Sequence, residues 1–490
     1  MERKSGILMH ITSLPGRYGI GSFGKEAFHF IDCLKSGGFS VWQTLPFGMP
    51  DGFGSPYSSF SAFSGNPYLL DLDVLLEKGY LTEEEISREI QSAPWQCEFE
   101  RLRVSRIPLL KTAAKRALCD PSVRQAVAEF SGSHPEVAQF CRFMAQKERN
   151  GDLPWIEWRT SEYDEDDEAA WQFIQYEFCR EWDDVRTYAH ENGIQLVGDI
   201  PIYVAYDSSD VYCNRENGIF DLDESGRRKN VAGVPPDFFS EDGQLWGNPL
   251  YNWAKMKEDD YAWWRARLRH LLSQFDGVRI DHFRGLASFW SVPADARTAR
   301  EGRWEQGPRE DFIRVIRETV QEAAQGDSSP FIIAEDLGIV TKDVTELLAY
   351  SGFPGMRVFQ FAFVGDPNSP HLPHNYPENC VAYTGTHDNN TLLGYLWELD
   401  DGTRREMLNY CGHVGDWRDG LDAMLRTLLE SRAGLVILPV QDLLGHGADT
   451  RMNTPGKAEG NWRYRVTAEQ LDAIDWGKFR GLNRLCGRDG

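Results

Sequence analysis

The chain has 490 residues, 41% of them hydrophobic, and 52 Lys and Arg stand against 75 Asp and Glu for a formal charge of -23. That balance repels a phosphate backbone and speaks against nucleic acid as a ligand; with no run near the about 18 apolar residues of a membrane span, the chain reads as soluble and unprocessed, with no membrane partner. Nine cysteines scattered without a C-x-x-C spacing read as reduced thiols rather than a disulfide framework or zinc site, which points to the cytosol.

Eight short apolar runs bounded by Gly or Pro predict strands at Gly6 to Thr12, Phe39 to Pro46, Ile194 to Val204, Gly277 to His282, Pro330 to Asp336, Gly355 to Phe361, Cys380 to Thr386, and Gly434 to Val440. Helical periodicity lies between several of them. Ala27, Phe30, Ile31 and Leu34 repeat at i, i+3, i+4, i+7 and stop at Gly37-Gly38, and Phe312, Val315, Ile316, Thr319 and Val320 do the same before Gly326. Alternation of strand and helix implies a parallel sheet, and eight near-continuous apolar strands favour closure into a (β/α)8 TIM barrel, because parallel strands need both faces covered and a barrel has no edges. The whole chain, 1–490, then reads as one catalytic domain with two insertions. About 70–190 is charge-rich and helical, opening with the capping box Thr82-Glu83-Glu84-Glu85. About 205–255 is rich in Gly, Pro, Asp and aromatics, the composition of a long ordered loop over a site.

Three of the runs end abruptly in an acid: GVRIDHFRG at Asp281, FIIAEDLG at Glu335 and CVAYTGTHDNN at Asp388. An unpaired carboxylate costs several kcal/mol to bury, so such endings imply a shared cleft. Asp199 in LVGDIP ends another run, and in a barrel these strand ends form the catalytic mouth. Any one strand-end Asp is more often a helix cap or an ion-pair partner; several on alternate strand ends reverse that reading. Clustered carboxylates without metal-binding histidines suit glycoside cleavage, in which one carboxylate attacks the anomeric carbon and a protonated acid assists the leaving oxygen. Arg279, two residues before Asp281 and on the same strand face, would keep Asp281 ionised. Glu335 must hold its proton near neutral pH, and crowding by other carboxylates pushes its pKa in that direction.

Two competing motifs fail on their own terms. Gly19 to Gly24 spells G-x-G-x-x-G between a strand and a helix, but the second strand ends Trp42-Gln43-Thr44 without the acid that binds a dinucleotide's ribose. Asp221 to Gly226 resembles the start of a calcium loop, yet Ala232 stands where the bidentate Glu belongs. No metal and no cofactor is expected.

The segments HITSLPG, GSPYSSFSAFSGNPYLLDL, GDIPIYV, GVRIDHFRG, IIAEDLG, TGTHDNNT and RMNTPG, in that order from His10 to about Arg465, closely resemble the 4-α-glucanotransferases called amylomaltases or disproportionating enzymes, glycoside hydrolase family 77. The resemblance implies a (β/α)8 barrel without a C-terminal β-sandwich, acting on α-1,4-glucans and maltooligosaccharides with retention, with glucose or a maltooligosaccharide as acceptor. It assigns Asp281 as nucleophile, Glu335 as acid/base and Asp388 to the donor sugar's hydroxyls, with Arg279, His387 and Asp199 in support. It also places Tyr57, Trp246, Phe238, Asn453 and Pro455 in glucan-binding segments, the aromatics as stacking surfaces rather than core. The chain departs from the family in having Ile11 after His10 where Pro is common, and in reading PDGFGSPY around Phe53 where a tyrosine is common. An α-glucan hydrolase or a non-catalytic glucan-binding protein would share the same cleft.

Overall fold

The apolar runs close on themselves. In the computed structural model, which describes residues 3–236, 241–324 and 329–489, the strands in chain order are β1 (Lys4–Leu8), β2 (Val41–Gln43), β3 (Gln195–Pro201), β4 (Asn230–Val234), β5 (Gln244–Pro249), β6 (Gly277–Asp281), β7 (Ser288–Pro293), β8 (Arg303–Gln306), β9 (Phe331–Ala334), β10 (Gly355–Val358), β11 (Cys380–Tyr383) and β12 (Leu435–Pro439). Eight of them, in the order β1-β12-β11-β10-β9-β6-β3-β2, form a closed barrel whose neighbours all run parallel. Each overlaps one of the eight predicted runs. A ring of parallel strands leaves no unpaired edge, so each of these uniformly apolar segments finds both its neighbours within the chain.

The helices follow the predicted faces. Lys25–Ser36 buries Ala27, Phe30, Ile31 and Leu34, and the Phe30 ring meets Trp42 of β2 edge-on at 4.9 Å. Each large side chain so buried contributes about 1.5–3 kcal/mol. Arg309–Ala323 likewise buries Phe312, Val315, Ile316 and Thr319; its predicted stop, Gly326, lies outside the described residues. Between β2 and β3 the chain is helical, with Phe99–Ala117, Pro121–Ser133, Pro135–Arg149 and Glu165–Glu191 as its long members. Thr82 and Glu85 close the expected capping box.

The barrel seam joins sequence-distant strands, Lys4 to Leu8 of β1 pairing with Leu435 to Pro439 of β12. Arg488, fully buried, donates to the carbonyls of Lys4, Leu429, Ser431 and Ala433 beside that seam. On the other side of β1, a Cβ at Gly6 would stand 2.5 Å from the Val41 carbonyl oxygen of β2, so only glycine allows the two strands to approach.

A second sheet, ordered β5-β4-β7-β8 and antiparallel, stands apart from the barrel. The 205–255 segment, whose composition reads as loop, contributes β4 and β5 to it. Both strands are short and carry Gly or Pro, and β4 is organised by pairing with β7 (Val231 with Val292, Gly233 with Trp290). Among the described residues no helix is long and apolar enough to cross a membrane.

Candidate active site

Adjacent strand ends assemble the predicted acids. The parallel register sets Asp199 of β3 beside Arg279 of β6 and Arg279 beside Ile333 of β9, so Glu335, just past β9, emerges next to Asp281 at the end of β6. Asp388 lies in the loop after β11.

Arg279 is the charge that organises the floor. Its guanidinium donates to Asp199 Oδ2 at 2.7 Å and to Asp281 Oδ1 at 2.8 Å, and both Arg279 and Asp199 are buried. The Tyr57 hydroxyl donates to the same Asp199 oxygen at 2.7 Å. Burial, and then Asp199, hold Tyr57 well above the usual phenol range, so it stays a donor. Burial raises Asp199, and Arg279 opposes that rise. A buried cation flanked by two carboxylates recovers in pairing and hydrogen bonding what desolvation costs it. The i, i+2 spacing places Arg279 and Asp281 on one strand face and within hydrogen-bond reach. Asp281 keeps a partly open side chain, 29% exposed, above this buried floor.

Glu335 is held by backbone. Its Oε2 accepts from the His282 N–H and its Oε1 from the Leu337 N–H, each at 2.8 Å. Burial pushes it up to about 8, with the Asp281 carboxylate adding to the rise and Arg279 opposing it. The sequence reading attributed that shift to crowded carboxylates; in the structure desolvation comes first and crowding second. The grip on Glu335 has a backbone cost, since His282 sits at φ 61°, a left-handed conformation that few non-glycine residues adopt and that clusters at functional sites.

The remaining predicted residues line one cleft of about 680 Å3, shared by Asp281, Asp388, His387, Tyr57, Trp246 and, from the loop after β12, Asn453 and Pro455. Asn453 Nδ2 donates to Asp388 Oδ1 at 2.6 Å, Arg451 Nη2 donates to the Asp388 carbonyl at 2.5 Å, and His387 Nε2 lies 3.4 Å from Asp388 Oδ1. His387 is buried and stacks on Tyr57, ring centroids 5.0 Å apart. Trp246 of β5 is 38% exposed and meets His282 edge-on at 4.9 Å, a cleft-wall surface rather than core. Phe53 is exposed at the same cleft. Phe238, predicted to bind glucan, lies outside the described residues.

Several lining residues carried no prior assignment. Trp462 packs against both Tyr57 and His387 and holds φ 67°; its polar setting Gly460-Asn461-Trp462, just beyond RMNTPG, was the available signal. Tyr203 on the cleft wall lies inside the apolar run Ile194 to Val204 and reads as core, with its place in GDIPIYV as the available signal. His10, at the head of HITSLPG, lies behind His387 and lines with it a cavity of about 30 Å3. Its Nδ1 accepts from the Leu45 N–H at 3.3 Å, and burial and His387 push it down to about 3, so it is neutral.

A mouth of this kind offers a partly open carboxylate, a neighbouring carboxylic acid whose pKa is pushed up to about 8, and a groove of about 680 Å3 lined by aromatic and polar side chains. Comparison with known proteins agrees with that chemistry. The family model described as 4-alpha-glucanotransferase, glycoside hydrolase family 77, matches residues 9–471. The 4-alpha-glucanotransferase of Streptococcus pneumoniae is 41% identical over 486 residues, covering 96% of this chain and 94% of that protein, and that of Synechocystis sp. is 41% identical over 515 residues, covering 99% and 98%. The structure of an amylomaltase from Streptococcus agalactiae in complex with acarbose superposes with a TM-score of 0.93 at 36% identity, over 99% of this chain and 100% of that one. With its barrel, its strand-end acids and its full-length match, the chain belongs to the 4-α-glucanotransferases of glycoside hydrolase family 77.

Proposed function

We propose that the enzyme moves α-1,4-glucan segments between maltooligosaccharides by a retaining double displacement, with Asp281 as nucleophile, Glu335 as acid/base and Asp388 gripping the donor sugar's hydroxyls. In the first half, an Asp281 oxygen bonds to the anomeric carbon, the bond from that carbon to the leaving sugar's oxygen breaks, and Glu335 gives that oxygen its proton. In the second half, the 4-hydroxyl of glucose or a maltooligosaccharide attacks the same carbon, Glu335 takes the hydroxyl proton, and the Asp281 ester bond breaks. The observation that carries this reading is the contrast between the two acids: Asp281 bonded to Arg279 at 2.8 Å, and Glu335 raised to about 8 beside it. Environments that push paired carboxylates apart separate base or nucleophile from acid.

Arg279, Asp199 and Tyr57 act as the floor that orients Asp281. His387 and Asn453 hold Asp388, while Trp246, Pro455 and Phe238 contact the glucan. In this reading the chain is one catalytic barrel, with about 70–190 and about 205–255 as insertions on it. Nine free cysteines suit a reducing compartment, so we place the protein in the cytoplasm.

Transfer is distinguished from hydrolysis by what resolves the ester. Water is about 55 M, so a millimolar sugar wins only if the site binds and orients it. The Val234 to Trp253 segment, which carries Trp246, is the element assigned to that task. From maltotriose alone, glucose and chains longer than the substrate should accumulate while total reducing ends stay nearly constant. If reducing ends rise with every bond broken and no longer chains form, the enzyme is a hydrolase. Catalysis should also survive prolonged dialysis against EDTA, because the proposed steps use only carboxyl groups; loss of activity from protein that stays folded, restored by calcium or zinc, would contradict them.

A further inference from the structure

We propose that His29, Cys33 and Asp472 form a zinc-class divalent-cation site that straps the first barrel helix to the C-terminal segment. His29 and Cys33 sit one turn apart on helix Lys25–Ser36, so their side chains share a face. Asp472 ends the short helix Ala468–Asp472 and comes from the far end of the sequence. Their ligand atoms converge: His29 Nε2 is 2.8 Å from Asp472 Oδ1 and 3.7 Å from Cys33 Sγ, and all three lie within 4.8 Å of one another.

Those spacings can be set against coordination geometry. Around tetrahedral zinc, metal–ligand bonds of about 2.0–2.3 Å place a nitrogen and a sulfur roughly 3.6 Å apart, and a nitrogen and an oxygen roughly 3.4 Å apart. The nitrogen–sulfur distance already fits. The His29–Asp472 hydrogen bond must open by about half an ångström, which side chains that are 43% and 61% exposed can do by small rotations. Cys33 is buried and supplies the fixed point. Imidazole, thiolate and carboxylate are the donor set of zinc, with the fourth position left to solvent.

The surroundings favour a cation. Asp32, whose carboxylate accepts from the Tyr188 hydroxyl at 2.8 Å, adds negative charge beside the thiol. His29 also faces a second cleft of about 1060 Å3, whose acids Glu26, Asp71, Asp73 and Glu77 outnumber its cations Arg17, Lys25 and Arg180. None of the three ligands lines the cleft that holds Asp281, so the site stands apart from the proposed reaction. A metal there converts binding free energy into stability of the contact between the two ends of the chain. The rival explanation is a surface His–Asp hydrogen bond that meets a cysteine through helical spacing alone.

Titration of chelator-stripped protein with Co2+ separates the two. One sulfur-to-cobalt charge-transfer band should appear in the near ultraviolet and saturate at one ion per chain. It should vanish in Cys33→Ala, and apparent affinity should fall at least tenfold in His29→Gln and Asp472→Asn. Zinc should raise the melting temperature of the wild type and leave that of His29→Gln unmoved. The two exposed substitutions keep the test decisive should Cys33→Ala fold poorly. No charge-transfer band, a band that persists in Cys33→Ala, or unchanged affinity in both His29→Gln and Asp472→Asn overturns the proposal.

Discussion

Asp281→Asn is expected to lower kcat on maltotriose by at least about a thousandfold while leaving the dissociation constant for a long maltooligosaccharide nearly unchanged. An amide oxygen cannot form the glycosyl ester at a useful rate, so the chemical step loses its nucleophile. The fold should tolerate the change. Arg279 keeps its 2.7 Å bond to Asp199, and the Asp281 side chain is already partly in solvent, so the stability change should stay within about 1 kcal/mol. Turnover, isothermal titration and a melting curve on one preparation test all three points. A variant that retains a tenth of wild-type kcat would remove Asp281 from the nucleophile's role.

Glu335→Gln should cost about 10²–10⁴ in kcat, the usual span for a general acid, and should reshape the pH profile. Glu335 must be protonated to act, and its pKa stands at about 8 against an ordinary 4.5, so wild-type activity should decline as pH rises through about 8. The residual activity of the Gln variant should lack that limb. The wild type's stability follows the same direction. Between 4.5 and 8 the unfolded chain has lost this proton and the folded one keeps it, so the group's contribution is fully present below 4.5 and is lost as pH rises toward 8. Gln has no proton to lose. The variant should therefore match the wild type near pH 4.5 and become more stable than it by on the order of 1–3 kcal/mol near pH 8, the shift being discounted because Glu335 is not fully enclosed. An unchanged alkaline limb would assign the acid elsewhere, and a constant stability gap across pH would show that Glu335 is not held protonated.

The barrel was legible because its strands are uniformly apolar and locally bounded, and the acids were legible because a carboxylate at the end of such a run contradicts its surroundings. The Arg279–Asp281 bond followed from strand periodicity alone. What escaped depends on partners distant in sequence. Strand β4 reads NVAGV and β5 reads QLWGNP, neither strongly strand-forming, and β4 finds its other neighbour only in β7. Tyr57 reaches Asp199 across 142 positions, and nothing near either residue announces the other. Burial, the main cause of the Glu335 shift, is a property of the assembled mouth, whereas crowding could be guessed from a count of acids. His29, Cys33 and Asp472 were invisible for the same reason, since the third member is 443 positions from the first.

The seam between β1 and β12 sets a schedule for biosynthesis. Lys4 leaves the ribosome long before the strand it pairs with, which ends at Pro439, and the arginine that gathers the carbonyls around that seam is Arg488. Until those residues emerge, β1 presents an open edge and the mouth has one wall missing. The nascent chain therefore carries exposed strand edge until β12 emerges, and a chain truncated upstream of residue 435 should keep an unclosed sheet prone to aggregate rather than give a weakened enzyme.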